Sequence, residues 1–234
     1  MNVVAVVATR INRGLPWLKR LVPRSAKRLV LLHLVGSGRH YKAPPSREWL
    51  ETQVLPQLPD LGFHRILFVG AGPYTWHYER VVRKAGGIWT TVDHNPSASV
   101  WGGRRHIQAR VQDIGRYCAE GAVDAVILNG VFGFGLNTIA EMNDAVQAVR
   151  KILRPGGLLL LGWNTDLTPD PLDLEQMRDG FVDPSELPFP ARLRFKGETH
   201  VYDFARRSSG NVTTANPSSL RRWDRGLSND DRLE

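Results

Sequence analysis

Hydrophobic and polar positions between residues 65 and 162 form short apolar runs that alternate with amphipathic stretches. Apolar runs bounded by Gly, Asp or Asn predict five strands, at residues 65–69, 88–92, 106–111, 123–128 and 158–162. Helical spacing of apolar residues predicts helices at 76–85 and 138–153, the first ended by a glycine pair and the second by Arg-Pro-Gly-Gly. The order is therefore that of repeated strand-helix units.

Such alternation predicts a parallel sheet with helices on both faces, because two parallel neighbours need a long crossover connection. The later part of the chain differs, since residues 191–196 and 200–206 are two extended runs joined by a turn at Gly197-Glu198. We therefore predict an α/β fold with a doubly wound, Rossmann-like, mostly parallel sheet that ends in an antiparallel hairpin strand.

The 234 residues divide into three predicted parts. Residues 1–45 are a basic helical leader that ends in Ala-Pro-Pro, and a helix beginning at Ser46 opens a domain over residues 46–207. Residues 208–234 are rich in Ser, Asn, Arg and Asp and predict a disordered tail. One domain of this length can bury a sizeable core.

The positive charge of the chain is concentrated in the leader. Residues 1–47 contain ten Lys or Arg and no acidic residue, whereas the formal net charge of the whole chain is +8, so the remainder is slightly negative. Residues 10–42 are thus candidates for contact with an anionic membrane surface or nucleic acid. The alternative is a pair of helices that fold over the domain with solvated basic faces, and the composition also resembles that of a mitochondrial presequence.

Cys118 is the only cysteine, which excludes an internal disulfide and an all-cysteine metal site. We expect no metal and a cytoplasmic location, with membrane association through the leader as an alternative. No apolar run approaches the roughly 18 residues that a membrane-spanning helix needs.

Candidate ligand-binding residues follow the predicted strands. Gly70 and Gly72 come directly after the first strand and allow a sharp turn, while Asp93 ends the second strand. In open α/β sheets the ligand lies beyond the carboxyl ends of the strands, and an acid at the second of them can accept hydrogen bonds from ribose hydroxyls. Asp113 with Ile114, after the third strand, is placed to receive an adenine. The alternative is that these acids cap loops.

The glycine turn departs from the nicotinamide-dinucleotide fingerprint Gly-x-Gly-x-x-Gly. Thr75 occupies the third glycine position, and the turn also contains Pro73 and the bulky Tyr74. A nicotinamide-dependent oxidoreductase therefore remains only a third alternative.

Between about residues 48 and 206 the chain resembles the class I S-adenosylmethionine-dependent methyltransferases. The motifs that carry the resemblance, in chain order, are Phe68-Val69-Gly70-Ala71-Gly72, Asp93, Gln112-Asp113-Ile114, the strand 123–129 and Leu153-Arg154-Pro155-Gly156-Gly157. The resemblance implies that Gly70, Ala71 and Gly72 pass beneath S-adenosylmethionine and that Asp93 holds its ribose. It also implies that Asp113 and Ile114 frame the adenine and that Asn129 lies beside the methionyl part.

Two positions depart from the pattern of that family. Phe68 stands where an acidic residue is usual, and Tyr74 stands where the third glycine is usual. The amino-acid end of the cofactor must then be held by other groups, or the site is degenerate.

The resemblance implies a methyltransferase, and we expect a small-molecule, sugar or lipid-linked acceptor and an in-line methyl transfer. The catalytic base, if one is needed, is unknown; Asp166 and His200 are candidates, and the proline-rich segment 168–190 is expected to cover the acceptor as a lid. The alternative is a non-catalytic, methyltransferase-like protein that binds RNA or a membrane through its basic leader. The oligomeric state cannot be read from the sequence.

Overall fold

The computed structural model describes residues 43–184 and 186–209. The predicted leader helices and almost all of the predicted tail lie outside these residues. The membrane or nucleic-acid contacts predicted for residues 10–42 lie outside them as well. Eight strands form the sheet: β1 Arg65–Val69, β2 Ile88–Asp93, β3 Arg105–Gln108, β4 Val123–Asn129, β5 Leu153–Asn164, β6 Phe181–Val182, β7 Arg192–Arg194 and β8 His200–Arg207. The α-helices are α1 Pro45–Trp49, α2 Tyr78–Lys84, α3 Ile139–Ile152 and α4 Glu175–Gly180.

Shorter helical turns complete the described part of the chain. A π-helical turn, Leu50–Val54, continues α1, and 3-10 turns occur at Pro96–Val100, Val111–Arg116 and Pro171–Asp173. None of the described helices is long and apolar enough to cross a membrane.

The sheet order is β3-β2-β1-β4-β5-β8-β6, and β7 also pairs with β8. Strands β1 to β5 are parallel, whereas β8 runs antiparallel to β5 and β6 and β7 run antiparallel to β8. The chain first builds outward from β1 to β3 and then returns to add β4 on the other side of β1. This reversal is the topological switch point at which ligands bind in such sheets. The predicted doubly wound fold with an antiparallel end is confirmed.

Each face of the sheet carries its own apolar layer. In β1, Leu67 and Val69 pack into the layer that contains α3, while Ile66 and Phe68 pack into the layer of α1 and α2. This alternation follows from the two-residue period of a strand. The start of α3 is fixed by a capping box, in which Thr138 and Glu141 each bind the backbone of the other.

The third and fifth strands differ from their predicted bounds. The predicted third strand, 106–111, ends at Gln108, because Val111 and Ile114 are three residues apart and both are buried in one 3-10 turn. Strand β5 begins at Leu153 rather than at residue 158, because Leu153 already pairs with Val123 of β4; the Arg-Pro-Gly-Gly segment is an irregularity within the strand, with Gly156 at φ +67°. A Cβ at Gly157 would lie 3.0 Å from the Asp124 carbonyl oxygen, so glycine is needed there for the close approach of β4.

The segment 168–190 was expected to be a lid, and the structure instead folds it against one edge of the sheet. It contains a 3-10 turn, α4 and β6, and β6 pairs with β8. Arg192 of β7 donates two hydrogen bonds to Asp170, at 2.6 and 2.7 Å, and also binds the buried Asp203. Trp163 Nε1 donates to the same Asp203 carboxylate at 2.7 Å. These bonds fasten the segment to the sheet.

Candidate functional site

A cavity of about 990 Å³ lies at the carboxyl ends of the parallel strands. The groups that line it come from the loops after β1 to β5, from α1, and from the turn between β7 and β8. They are Pro44, Ser46, Arg47, Val69, Gly70, Ala71, Tyr74, Asp93, His94, Asn95, Ala109, Arg110, Val111, Gln112, Asn129, Gly130, Val131, Phe134, Gly135, Leu136, Asn164, Gly197, Glu198, Thr199, His200 and Tyr202.

The backbone N–H groups of the turn after β1 are hydrogen-bonded to acceptors within the protein. Gly70, at φ +92°, donates to a carbonyl oxygen of β2 at 2.9 Å, and Ala71 donates to Oδ2 of Asp93 at 2.9 Å. Gly72 donates to Oγ1 of Thr75 at 3.0 Å. Binding of a pyrophosphate at such a turn depends on N–H groups that point at the ligand. With these three N–H groups used internally, the turn does not favour a nicotinamide dinucleotide.

Asp93 stands at the end of β2 and joins two loops. Its Oδ2 accepts from Ala71, and its Oδ1 accepts from the backbone N–H of Asn95 at 2.8 Å. An ionised carboxylate offers about four acceptor sites, so about two remain for a ligand. The side chain lines the cavity, as an acid that receives ribose hydroxyls must.

Of the seven predicted cofactor-binding residues, Gly70, Ala71, Asp93 and Asn129 line the cavity. Gly72, Asp113 and Ile114 are not among the lining residues. Their binding roles stay predictions from the resemblance.

Asp113 and Ile114 lie elsewhere because β3 ends earlier than the pattern predicted. Asp113 is half exposed, with Oδ1 at 3.4 Å from Nη2 of Arg116, and the Ile114 side chain is completely buried in the core. The residues that reach the cavity after β3 are Ala109, Arg110, Val111 and Gln112. Val111 and Ile114 are three residues apart, a spacing that fits a 3-10 turn. This spacing is the sequence signal that could have shown that β3 ends early and that residues 109–112 reach the cavity.

Asn129 reaches the cavity from the end of β4 across a glycine of β5. A Cβ at Gly162 would overlap the Asn129 side-chain oxygen and lie 2.9 Å from the Tyr202 ring. Burial is the main influence on the pKa of Tyr202 and raises it, whereas a side-chain hydrogen bond with Asn129 acts to lower it. Gly162 is therefore a packing position on which the orientation of Asn129 depends.

Helix α1 contributes two cavity residues that sequence reasoning missed. The guanidinium carbon of Arg47 lies 3.8 Å from the centre of the Tyr74 ring. Ser46 is tied to the β7–β8 turn, since its N–H donates to Oε1 of Glu198 at 3.1 Å and its hydroxyl donates to Oε2 at 2.5 Å. No motif marks these residues, because their meeting depends on contacts between distant parts of the chain.

His200 lines the far end of the cavity, whereas Asp166 lies in an exposed turn and is not a lining residue. Nδ1 of His200 is 2.9 Å from Oδ1 of Asn164, and the amide nitrogen of Asn164 donates to Thr199 at 3.0 Å. The Asn164 oxygen therefore accepts from Nδ1–H, which leaves Nε2 as the acceptor of the ring. Burial lowers the pKa of His200 to about 4, and the positive charge of Arg47 also lowers it.

Within residues 43–184 and 186–209, no group of three or more His, Cys, Asp or Glu side chains is placed to hold a metal ion. The single cysteine, Cys118, is buried in the core, and burial raises its thiol pKa to about 12.

No protein-family model and no curated protein matches the sequence. Solved structures do match the fold. The N-methyltransferase NodS from Bradyrhizobium japonicum WM9, in complex with S-adenosyl-L-homocysteine, has a TM-score of 0.55 and 15% identity, and the match covers 71% of this chain and 89% of that one.

Two further solved structures agree. A TehB-like SAM-dependent methyltransferase from Corynebacterium glutamicum has a TM-score of 0.51 and 16% identity, with 79% of this chain and 98% of that one covered. A protein from Pyrococcus horikoshii OT3 has a TM-score of 0.50 and 12% identity, with 71% and 93% covered. The described part of the chain thus has the fold of the class I S-adenosylmethionine-dependent methyltransferases.

Proposed function

We propose that this protein is an S-adenosylmethionine-dependent methyltransferase that acts on a small-molecule, sugar or lipid-linked acceptor. The observation that carries the proposal is one continuous cavity that extends from Asp93 at the end of β2 to His200 at the start of β8. Its volume of about 990 Å³ is at the upper end of the range of small-ligand sites. A nucleoside cofactor and a small acceptor can therefore share it.

The cofactor would occupy the part of the cavity nearest β1, β2 and β3. Asp93 has acceptor capacity left for two ribose hydroxyls, and the adjacent turn presents no side chain larger than a methyl group at Gly70 and Ala71. Val111 offers an apolar surface for a purine ring, and Asn129 offers amide groups beside the turn. The donors and acceptors present therefore suit an adenosine with an attached amino acid.

When bound, S-adenosylmethionine supplies an electrophilic methyl group on a sulfonium, which a nucleophile attacks in line with the departing sulfur. The protein residues then have to orient the acceptor and exclude water. The lining groups near β5 and β8 include Asn164, Thr199 and His200, all of which can hydrogen-bond to an acceptor.

The state of His200 limits its role. With a pKa of about 4, the ring is neutral at pH 7 and its Nε2 can accept a hydrogen bond from an N–H or O–H group. A general base works best when its pKa is near the operating pH, so His200 would be a weak base. We assign it to orientation of the acceptor, and we give Asp166 no role, since it is absent from the cavity lining.

The proposal is tested with S-adenosylmethionine that carries a labelled methyl group. The full chain is incubated with panels of amines, phenols, sugars and lipid-linked sugars, and transfer of the label is compared with that of the Asp93→Ala variant. Label in a small acceptor with the wild type alone would support the proposal. Transfer of label only to RNA, added as a separate panel, would contradict the proposed class of acceptor. Failure of the protein to bind S-adenosylmethionine would contradict the proposal that it is a methyltransferase.

A further inference from the structure

Phe68, which stands where an acidic residue is usual in the family motif, leaves the glycine turn without a charged group of its own. The Phe68 side chain is buried and points into the layer of α2, where its ring stacks on Trp89 with centres 5.2 Å apart. The residues from Gly70 to Thr75 carry no charge. An amino acid with a carboxylate and an ammonium group would therefore have to be bound by charges from other elements.

Arg47 brings a positive charge to this turn from α1. Its guanidinium stacks on Tyr74 at 3.8 Å, and Tyr74 in turn packs on Gly72, where a Cβ would lie 3.2 Å from the tyrosine ring. The side chain that replaces the usual third glycine is thus the surface on which the cation rests. Both Arg47 and Tyr74 line the cavity.

Helix α1 is held in place on two sides, so the position of Arg47 is defined before a ligand arrives. Ser46 binds Glu198 in the β7–β8 turn through its N–H and its hydroxyl. The Trp49 ring stacks on Tyr202 with centres 5.9 Å apart and meets the edge of Phe204 at 6.0 Å. Preorganisation of this kind reduces the ordering cost of binding.

The charge of Arg47 acts at the end of the cavity nearest β4 and β8. Burial lowers the pKa of His200 and raises the pKa of Tyr202, and at both residues the charge of Arg47 acts to lower the pKa, whereas Glu198 acts to raise it. In the sheet order, β2 and β3 lie on the other side of β1. With ribose at Asp93, the amino-acid end of the cofactor would extend toward β4 and therefore toward Arg47.

We propose that Arg47, supported by the ring of Tyr74, binds the carboxylate of the methionine part of S-adenosylmethionine. This inference rests on the proposed function. A guanidinium presents planar N–H donors that match a carboxylate, and stacking on an aromatic face keeps its plane fixed. The same pair explains why a bulky aromatic residue is accommodated at position 74.

The test compares two ligands by calorimetric titration of the full chain. S-adenosylhomocysteine has the carboxylate, whereas 5′-methylthioadenosine has the same adenosine and thioether without the amino acid. We expect Arg47→Gln to weaken S-adenosylhomocysteine about ten- to a hundredfold, as for loss of a hydrogen bond between charged groups, and to change methylthioadenosine less than about twofold. The affinity of Arg47→Lys for S-adenosylhomocysteine should lie between those of the wild type and Arg47→Gln, because lysine keeps the positive charge but lacks the planar pair of N–H donors of a guanidinium.

Matched controls separate this role from a general effect of charge or folding. Arg194→Gln removes the same charge from an exposed residue outside the cavity lining and should leave both affinities unchanged. Tyr74→Phe should keep the affinity for S-adenosylhomocysteine, and Tyr74→Ala should lower it with little effect on methylthioadenosine. Thermal unfolding of each variant shows whether it is folded.

The outcomes are distinguishable. Equal loss of both ligands in Arg47→Gln, or no loss of either, would overturn the role of Arg47 while leaving the proposed function intact. Binding of neither ligand by the wild type would overturn both proposals.

Discussion

The side-chain oxygen of Asn129 occupies the space in which a Cβ of residue 162 would lie. Gly162 is the partner of Asn129 in the parallel pairing of β4 with β5, so the two positions are fixed side by side. The absence of a side chain on β5 thus determines where the amide of Asn129 points, at the end of the cavity.

We predict that Gly162→Ala displaces the Asn129 side chain. The added methyl group would also press on the Tyr202 ring, and overpacking of this kind costs about 1–3 kcal/mol of the free energy of unfolding. Urea unfolding measures that loss, and calorimetry should show weaker S-adenosylhomocysteine binding. The control is Gly115→Ala, where a Cβ would meet nothing within 4 Å. Equal stability of the two variants would contradict the packing explanation.

A second prediction concerns the buried carboxylate that joins β1, β4 and β5. Asp124 accepts from the backbone N–H of Arg65 at 2.7 Å, from its guanidinium at 2.9 Å and from Nε of Arg154 at 3.0 Å. We expect Asp124→Asn to lower the free energy of unfolding by about 3 kcal/mol, because both cations lose their partner. Chemical unfolding at neutral pH provides the measurement.

Glu186→Gln is the matched control for Asp124→Asn. Glu186 is 86% exposed, and its carboxylate oxygen comes no closer than 3.8 Å to the Arg206 guanidinium, which is too far for a hydrogen bond. Loss of this charge should lower the free energy of unfolding by less than about 1 kcal/mol. A pH titration adds a second check on Asp124. Burial alone would raise its pKa, but the hydrogen bonds and charges of Arg65 and Arg154 more than offset this and lower it. The contribution of Asp124 to stability is therefore lost only as the pH falls below the ordinary aspartate value of 3.8.

A third prediction follows from the buried imidazole of His200. Its pKa is about 4 in the folded protein against 6.5 for an ordinary histidine, so between these values the unfolded chain binds more protons. The free energy of unfolding should therefore decrease as the pH falls from about 6.5 to about 4, by on the order of 3 kcal/mol from this group. His200→Gln should lack this part of the decrease, as measured by urea unfolding across that range.

An NMR titration of the His200 ring gives an independent check. Arg47→Gln should raise the pKa of His200 above the wild-type value, because a nearby positive charge has been removed. Glu198→Gln should lower it below the wild-type value, because a nearby negative charge has been removed. A pKa near 6.5 in the wild type would contradict the burial of the ring.

The periodicity of apolar residues was enough to predict the sheet and its antiparallel end. Runs such as 66–69 and 123–128 are buried on both faces and flanked by glycine or polar residues, so local pattern and tertiary burial agree there. The predicted end of the third strand was wrong, because Val111 fits an extended run as well as a 3-10 turn. Only its burial together with Ile114 decides between the two.

The cavity could be predicted only in part. Gly70 and Asp93 belong to a motif with fixed spacing, and their position follows from the parallel order of β1 and β2. Arg47 and Glu198 lie 151 positions apart in the numbering and reach the cavity through packing of α1 on the β7–β8 turn. The segment 168–190 was misassigned for the same reason, since its bonds with Arg192 cannot be read from its prolines.

A calorimetric titration of S-adenosylhomocysteine into the full chain and two aspartate variants tests whether this cavity binds the cofactor. We predict binding by the wild type, loss of at least about tenfold in affinity for Asp93→Asn, and unchanged affinity for Asp166→Asn, because Asp93 lines the cavity and Asp166 does not. Absence of binding to the wild type, or equal affinity of all three proteins, would contradict the assignment of this cavity to S-adenosylmethionine.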